Sequence, residues 1–234
     1  MLSTFRKLLM FSLASVTAVV VTLAPVSSAH AAVPPSDNSW SYNSTQKKIV
    51  STDGGASFTL KGGTAVTSST GQPGVRFTGA PQLATSSTAT VPTPGDQNFE
   101  WTLVFSVDKI YPKSSANLAQ HGLWDGNQIK MQLDAKGVPQ CVFNGTGGRL
   151  LLTSVNKASL VNGQSHTFSC WRTGNQLGAT VDGISNSEYF AVGSIDPTGK
   201  PTIGSKSASA TATDQFFGTF WKLTKRIFAP TGGS

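Results

Sequence analysis

The chain has 234 residues, only 12% of them charged, and a formal net charge of +7. Its Lys and Arg residues are scattered apart from Lys47-Lys48 and Lys222–Arg226. No basic stripe is interleaved with aromatics, which argues against a nucleic-acid partner. A modest positive charge instead suits weak attraction to anionic wall polymers, or simple solubility.

Residues 1–31 read as a signal peptide. Arg6 and Lys7 precede an apolar run from Leu8 to Ala24, and a small-x-small site follows at Ala29-His30-Ala31. The alternative is an uncleaved anchor, since the run approaches the roughly 17–25 residues of a span. Ser and Thr within it, Pro25 and the cleavage site favour removal. The mature chain is then secreted, extracellular or attached to the envelope, with no stable membrane insertion. Its roughly 200 residues suit one all-β sandwich. Residues 32–45, with Pro34-Pro35, are expected to be an exposed leader, residues 46–229 the folded domain, and residues 230–234 a frayed tail.

Helix signals are nearly absent. Gly is abundant at 24, and Glu occurs only at Glu100 and Glu188. Short alternating runs between turn residues predict an antiparallel two-sheet sandwich. "ASFTLKGG", "VRFTGAP" and "STATVP" come first. In "FEWTLVFSVD" the period of two places Phe99, Trp101, Leu103, Phe105 and Val107 on one face. "QIKMQLD" points Ile129, Met131 and Leu133 inward, and "AKG" turns the chain into "VPQCVFNG", where Pro139 marks a strand start or an edge. "RLLLTS" follows. From Ser159 to Gly183 the chain reads as a hairpin, with His166, Phe168, Cys170 and Arg172 on one face and Thr167, Ser169 and Trp171 on the other. Gly174-Asn175 and Asp182-Gly183 are its turns. "PTIGS" and "DQFFGTFWKLTKRIF" supply the last strands.

Cys141 and Cys170 are the two cysteines. An exported chain with an even count predicts a bridge between them, which is reasonable across a strand pair if the two arms are neighbours. A metal or redox pair suits the long spacing poorly.

In order, "VRFTGAPQLAT", "NFEWTLVFSVD", "IKMQLDAKGVPQCVF", "LVNGQSHTFSCWRTGNQLGATVDG" and "PTIGS…DQFFGTFWKLTKRI" resemble the laminin-G-like branch of the concanavalin A-like lectin/glucanase superfamily. The paired cysteines resemble those of a secreted bacterial subgroup. Two departures stand out: Ser165 replaces the usual aromatic before the His, and Trp221 stands where an acidic residue often follows Phe-x-Gly. The resemblance implies an all-β jelly-roll sandwich of two antiparallel sheets. It implies binding or adhesion more than catalysis, and names no ligand. The expected function is a non-catalytic module recognising a carbohydrate or cell-surface component. The alternatives are a structural or adhesive envelope protein binding protein partners, and a glycoside hydrolase.

Glycosidases need two cooperating carboxyls. Here no strand carries acids at i and i+2, and no Gly-x-Ser-x-Gly elbow supports a serine hydrolase. His166 and Asp182 are read as framework. Domains of the resembled family can hold calcium at the rim, which makes Asp125, Asp108 and Asp214 the candidate ligands. For stacking on sugars the candidates are Trp124, Trp171, Tyr111 and Tyr189, whereas Trp101 and Phe105 belong to the core.

Overall fold

The computed structural model describes residues 36–229 apart from 80–81, 89–90, 112–113, 156 and 208–213. The segments read as signal peptide and tail lie outside the described residues.

Two layers of antiparallel strands face each other across an aromatic core. The first layer contains β1 (Ser36–Asn43), β2 (Lys48–Ser51), β4 (Thr64–Thr67), β5 (Pro73–Thr78), β7 (Asn98–Lys109), β12 (Ser165–Thr173), β13 (Gln176–Val181), β14 (Ile184–Tyr189) and β16 (Phe217–Phe228). The second contains β3 (Phe58–Lys61), β6 (Leu83–Ser86), β8 (Ala116–His121), β9 (Gln128–Leu133), β10 (Pro139–Gly145), β11 (Gly148–Thr153) and β15 (Thr202–Ile203). Strand order is β14-β13-β12-β7-β16-β1-β2 in the first and β11-β10-β9-β8-β15-β6-β3 in the second. One edge of β16 pairs with β5 along its first half and β1 along its second, and β4 adds to β5. The layers join through a single residue pair, Ile49 with Phe58.

The period-two readings of β7 and β9 hold. Phe99, Trp101, Leu103, Phe105 and Val107 are buried, as are Ile129, Met131 and Leu133. Pro139 opens β10, where its missing donor does least harm. Gly174 has positive φ in a two-residue turn, and Asp182 and Gly183 both do in the next. The latter is the primed geometry that matches strand twist.

Two expectations need correction. The leader is not exposed throughout: from Ser36 to Asn43 it is β1, paired with β16 and β2, and Trp40 and Tyr42 are buried. Trp40 meets Phe58 edge-on at 5.9 Å, so two aromatics at i and i+2 suffice to hold an otherwise polar segment in the sheet. The disulfide forms, but its strands are not neighbours. Cys141 on β10 and Cys170 on β12 bridge the two layers, with Cα atoms 5.7 Å apart. Facing sheets ordinarily stand about 10 Å apart, so the layers converge here. The edge strands β11 and β14 meet at the same side, where Asn186 donates to the Thr153 carbonyl at 2.9 Å.

Candidate functional site

At one rim of the sandwich the chain leaves β8, makes the loop 122–127 and returns as β9. Gly122 has φ +81°, and a Cβ there would lie 2.0 Å from the Asn127 carbonyl oxygen, so the turn requires glycine. Three amide side chains from adjacent strands then pin the loop. Gln120 of β8 and Gln128 of β9 each donate to the Gly122 carbonyl at 3.2 Å. Asn144 of β10 donates to the Gly126 carbonyl at 2.5 Å. The tip of this anchored loop holds Leu123, 56% exposed, and Trp124, 74% exposed. The pinned loop backbone presents this indole to solvent as a contact surface.

Beside the loop is a cleft of about 400 Å³, whose polar lining includes Gln120, Asp125, Asn127, Lys200, Thr202 and Lys206. Residues 198–200 form the opposite wall. His121, buried beneath it, faces the Gly199 carbonyl through Nε2 at 3.1 Å. Burial, reinforced by the Lys225 charge, lowers the His121 pKa to about 4. At neutral pH the ring is therefore uncharged, and an Nε2–H donates to Gly199 and holds the wall. The cleft offers amides, a carboxylate, ammonium groups and a hydroxyl, a set that can meet the hydroxyls of a polar ligand.

Next to the cleft, Asp214 is buried and lies 3.5 Å from Lys130 and 3.9 Å from Lys206. Burial lowers the Lys130 pKa, opposed by Asp214. Asp108 bonds Arg76 at 2.9 Å. A divalent cation at Asp214 would face two ammonium groups, and at Asp108 a guanidinium. These two residues do not fit a calcium site, and Asp125 alone does not make one. No cluster of three or more His, Cys, Asp or Glu suited to a metal occurs among the described residues.

The candidate aromatics divide into three places. Trp124 shares the rim loop with Asp125. Trp171 and Tyr189 lie on the outward face of the first layer. There Trp171 packs flat on Gly178, and its Nε1–H donates to Thr180 Oγ1 at 3.0 Å. Tyr111 stands apart, stacked on Phe217 with centroids 6.2 Å apart and planes 13° apart.

His166 and Asp182 form part of the frame. Asp182 Oδ2 faces His166 Nδ1 at 2.7 Å, and Oδ1 accepts from the Thr167 N–H at 2.8 Å. The Asp182 carboxylate thus also reaches across the strand pair, beyond the turn assigned to it. Arg172 was read only as an inward position. Its guanidinium donates to the carbonyls of Gln97, Gly193 and Gly95 at 2.8–3.0 Å and clamps two loops.

No family model matches this chain, and no curated protein matches it. Solved structures do. A Trypanosoma rangeli sialidase in complex with 2,3-difluoro-KDN aligns over 81% of this chain at 14% identity and TM-score 0.58. Domains LG4-5 of the mouse laminin alpha1 chain align over 69% at 18% identity and TM-score 0.50. The receptor binding domain of botulinum neurotoxin D aligns over 84% at 10% identity and TM-score 0.56. This chain spans 30%, 47% and 49% of those chains respectively. At such identity the likeness defines the fold alone: an all-β, two-layer antiparallel jelly-roll sandwich. Among the described residues no helix is long and apolar enough to cross a membrane.

Proposed function

We propose that the protein is a secreted, non-catalytic binding module whose rim cleft takes a carbohydrate or another cell-surface component. The observation that carries this reading is Trp124, held in solvent by an amide-pinned loop beside a polar cleft. A ring face stacks on the apolar C–H face of a sugar while the cleft's polar groups meet its hydroxyls. The buried disulfide fits an oxidising compartment and so supports export. The receptor-binding domain among the structural neighbours agrees with binding as the task.

The non-catalytic part is supported by the separation of the two glutamates. Glu100 on β7 and Glu188 on β14 are three strand spacings apart, roughly 14 Å. Paired glycosidase carboxyls lie about 5–9.5 Å apart. Glu100 also sits 3.9 Å from Arg226.

The adhesive, protein-binding reading has one observation in its favour: Leu151, Val155 and Ile184 are exposed apolar residues. They lie on or beside the edge strands β11 and β14. A glycan array probed with the protein, with and without chelator, separates the two. Bound sugars support the carbohydrate reading, and loss with chelator would restore calcium to it. Silence across the array would sink the carbohydrate reading and leave the adhesive one.

A further inference from the structure

Strand register places six hydroxyl side chains in one row across the first layer. Ser39 stands opposite Thr224, Thr224 opposite Thr102, Thr102 opposite Ser169, Ser169 opposite Thr180, and Thr180 opposite Ser185. Their neighbours Trp40, Leu223, Leu103, Phe168 and Ala179 go to the core, so the row lies on the other face; Ser169 and the Ser39 Oγ are buried there, while Thr224, Thr102 and Thr180 are half-buried and Ser185 is exposed. Thr102 and Ser169 hydroxyls lie 2.7 Å apart, and Thr180 and Ser185 hydroxyls 2.8 Å. With strands about 4.8 Å apart, the row is roughly 24 Å long.

Aromatic rings flank it. Trp171 lies against Gly178, where a Cβ would come within 2.0 Å of the indole. Trp221 lies against Gly74 in the same manner, where a Cβ would come within 2.4 Å. Both are half-buried. Because each inner ring face rests on a glycine, the accessible face of each indole looks outward, level with the sheet. Tyr189, two positions beyond Ser187 on β14, adds an exposed ring to the same face.

Of the charges beside the row, Arg226 is compensated, and Lys222, two positions from Thr224 on the same face, is exposed. Arg226 sits 3.1 Å from Asp37 and 3.9 Å from Glu100. The row itself carries no charge.

We propose that this face is a second binding surface, for a neutral polysaccharide lying across the strands. Flush indoles stack on sugar rings, and the accessible hydroxyls of Thr224, Thr102, Thr180 and Ser185 meet the ring hydroxyls. A polyanion would need a series of cations along the row, not the one lysine, Lys222, beside it. A protein partner would need an apolar patch, and the exposed aliphatic side chains Leu123, Leu151, Val155 and Ile184 stand off this row. The surface is separate from the rim cleft and does not depend on it.

Co-sedimentation of the full chain with microcrystalline cellulose and with chitin tests it. Wild type is expected to sediment with at least one of them, insensitive to moderate salt. Trp171→Ala and Thr180→Lys should each lower the partition at least tenfold with unchanged melting temperatures. Thr180→Lys keeps the indoles, so it stands as evidence if Trp171→Ala fails to fold. The proposal is overturned if wild type stays in the supernatant with both solids, or if salt abolishes sedimentation. It is equally overturned if Trp124→Ala alone abolishes sedimentation while both face variants retain it.

Discussion

Replacing Lys225 with Met is expected to stabilise the fold by about 4 kcal/mol near neutral pH. Lys225 sits on β16 between Leu223 and Ile227 on the core face, only 1% exposed. Its Nζ has no hydrogen-bond partner and stands 5.4 Å from the centre of the Trp101 ring. Cation–π attraction returns about 2 kcal/mol at best, whereas burying an ammonium costs several. Burial therefore wins, and it pulls the Lys225 pKa from 10.5 to about 7.

The pH consequence follows by linkage. Between about pH 7 and 10.5 the unfolded chain binds a proton that the native chain does not. Stability should therefore be greatest at the alkaline end of that window and fall as pH drops toward 7. His121, lowered from 6.5 to about 4, adds a second loss as pH falls from 6.5 to 4. Denaturant melts at pH 5 to 10 check both steps. Lys225→Met should raise the midpoint, flatten the alkaline step and shrink the acidic one, because burial alone then holds the His121 pKa down. A wild-type profile flat above pH 7 would contradict the assignment.

Loss of the disulfide should destabilise by about 3–4 kcal/mol, from chain entropy for a separation of 29 residues. The position makes the effect global. The bridge ties β10 to β12 across the core, at the side where β11 and β14 meet. Among the described residues no strand pairing holds the layers together there, so the joint depends on packing, the Asn186–Thr153 hydrogen bond and this covalent link. The Cys141→Ala, Cys170→Ala double variant should melt well below the oxidised protein. A difference under about 1 kcal/mol would mean that packing alone sets the spacing.

Much of the fold was legible because a half-buried strand writes its burial with period two, as β7 and β9 do. Strands β1, β2, β4, β6, β8 and β14 were not, and of the "STATVP" stretch no described residue is in a strand. In β1 only Trp40 and Tyr42 mark the buried face. In β8 all six residues are buried, including Asn117, Gln120 and His121, because loops cover its outer face. A register shift between Asn117 and Ala119 further breaks its alternation. The cross-layer disulfide could not be told from a cross-strand one, since pairing partners are not written in spacing. Lys225 was readable in principle: the period that buries Leu223 and Ile227 buries it too, though its charge suggested otherwise.

Trp124 and Asp125 stood out as a loop pair, but the cleft did not. Its far wall comes from residues 198–200, distant in sequence, and is brought to the loop by β8–β15 pairing and the His121–Gly199 hydrogen bond. The hydroxyl row was invisible for the same reason, since it joins six strands distant in sequence.

The central claim is that the rim cleft binds through Trp124. The direct test is the dissociation constant of the best array glycan for wild type and Trp124→Ala, measured side by side with thermal melts. Trp124 is 74% exposed, so its removal should leave the melting temperature unchanged. The affinity should fall roughly 10–100-fold, as for loss of an aromatic anchor. Equal affinities in two equally folded proteins would contradict the account.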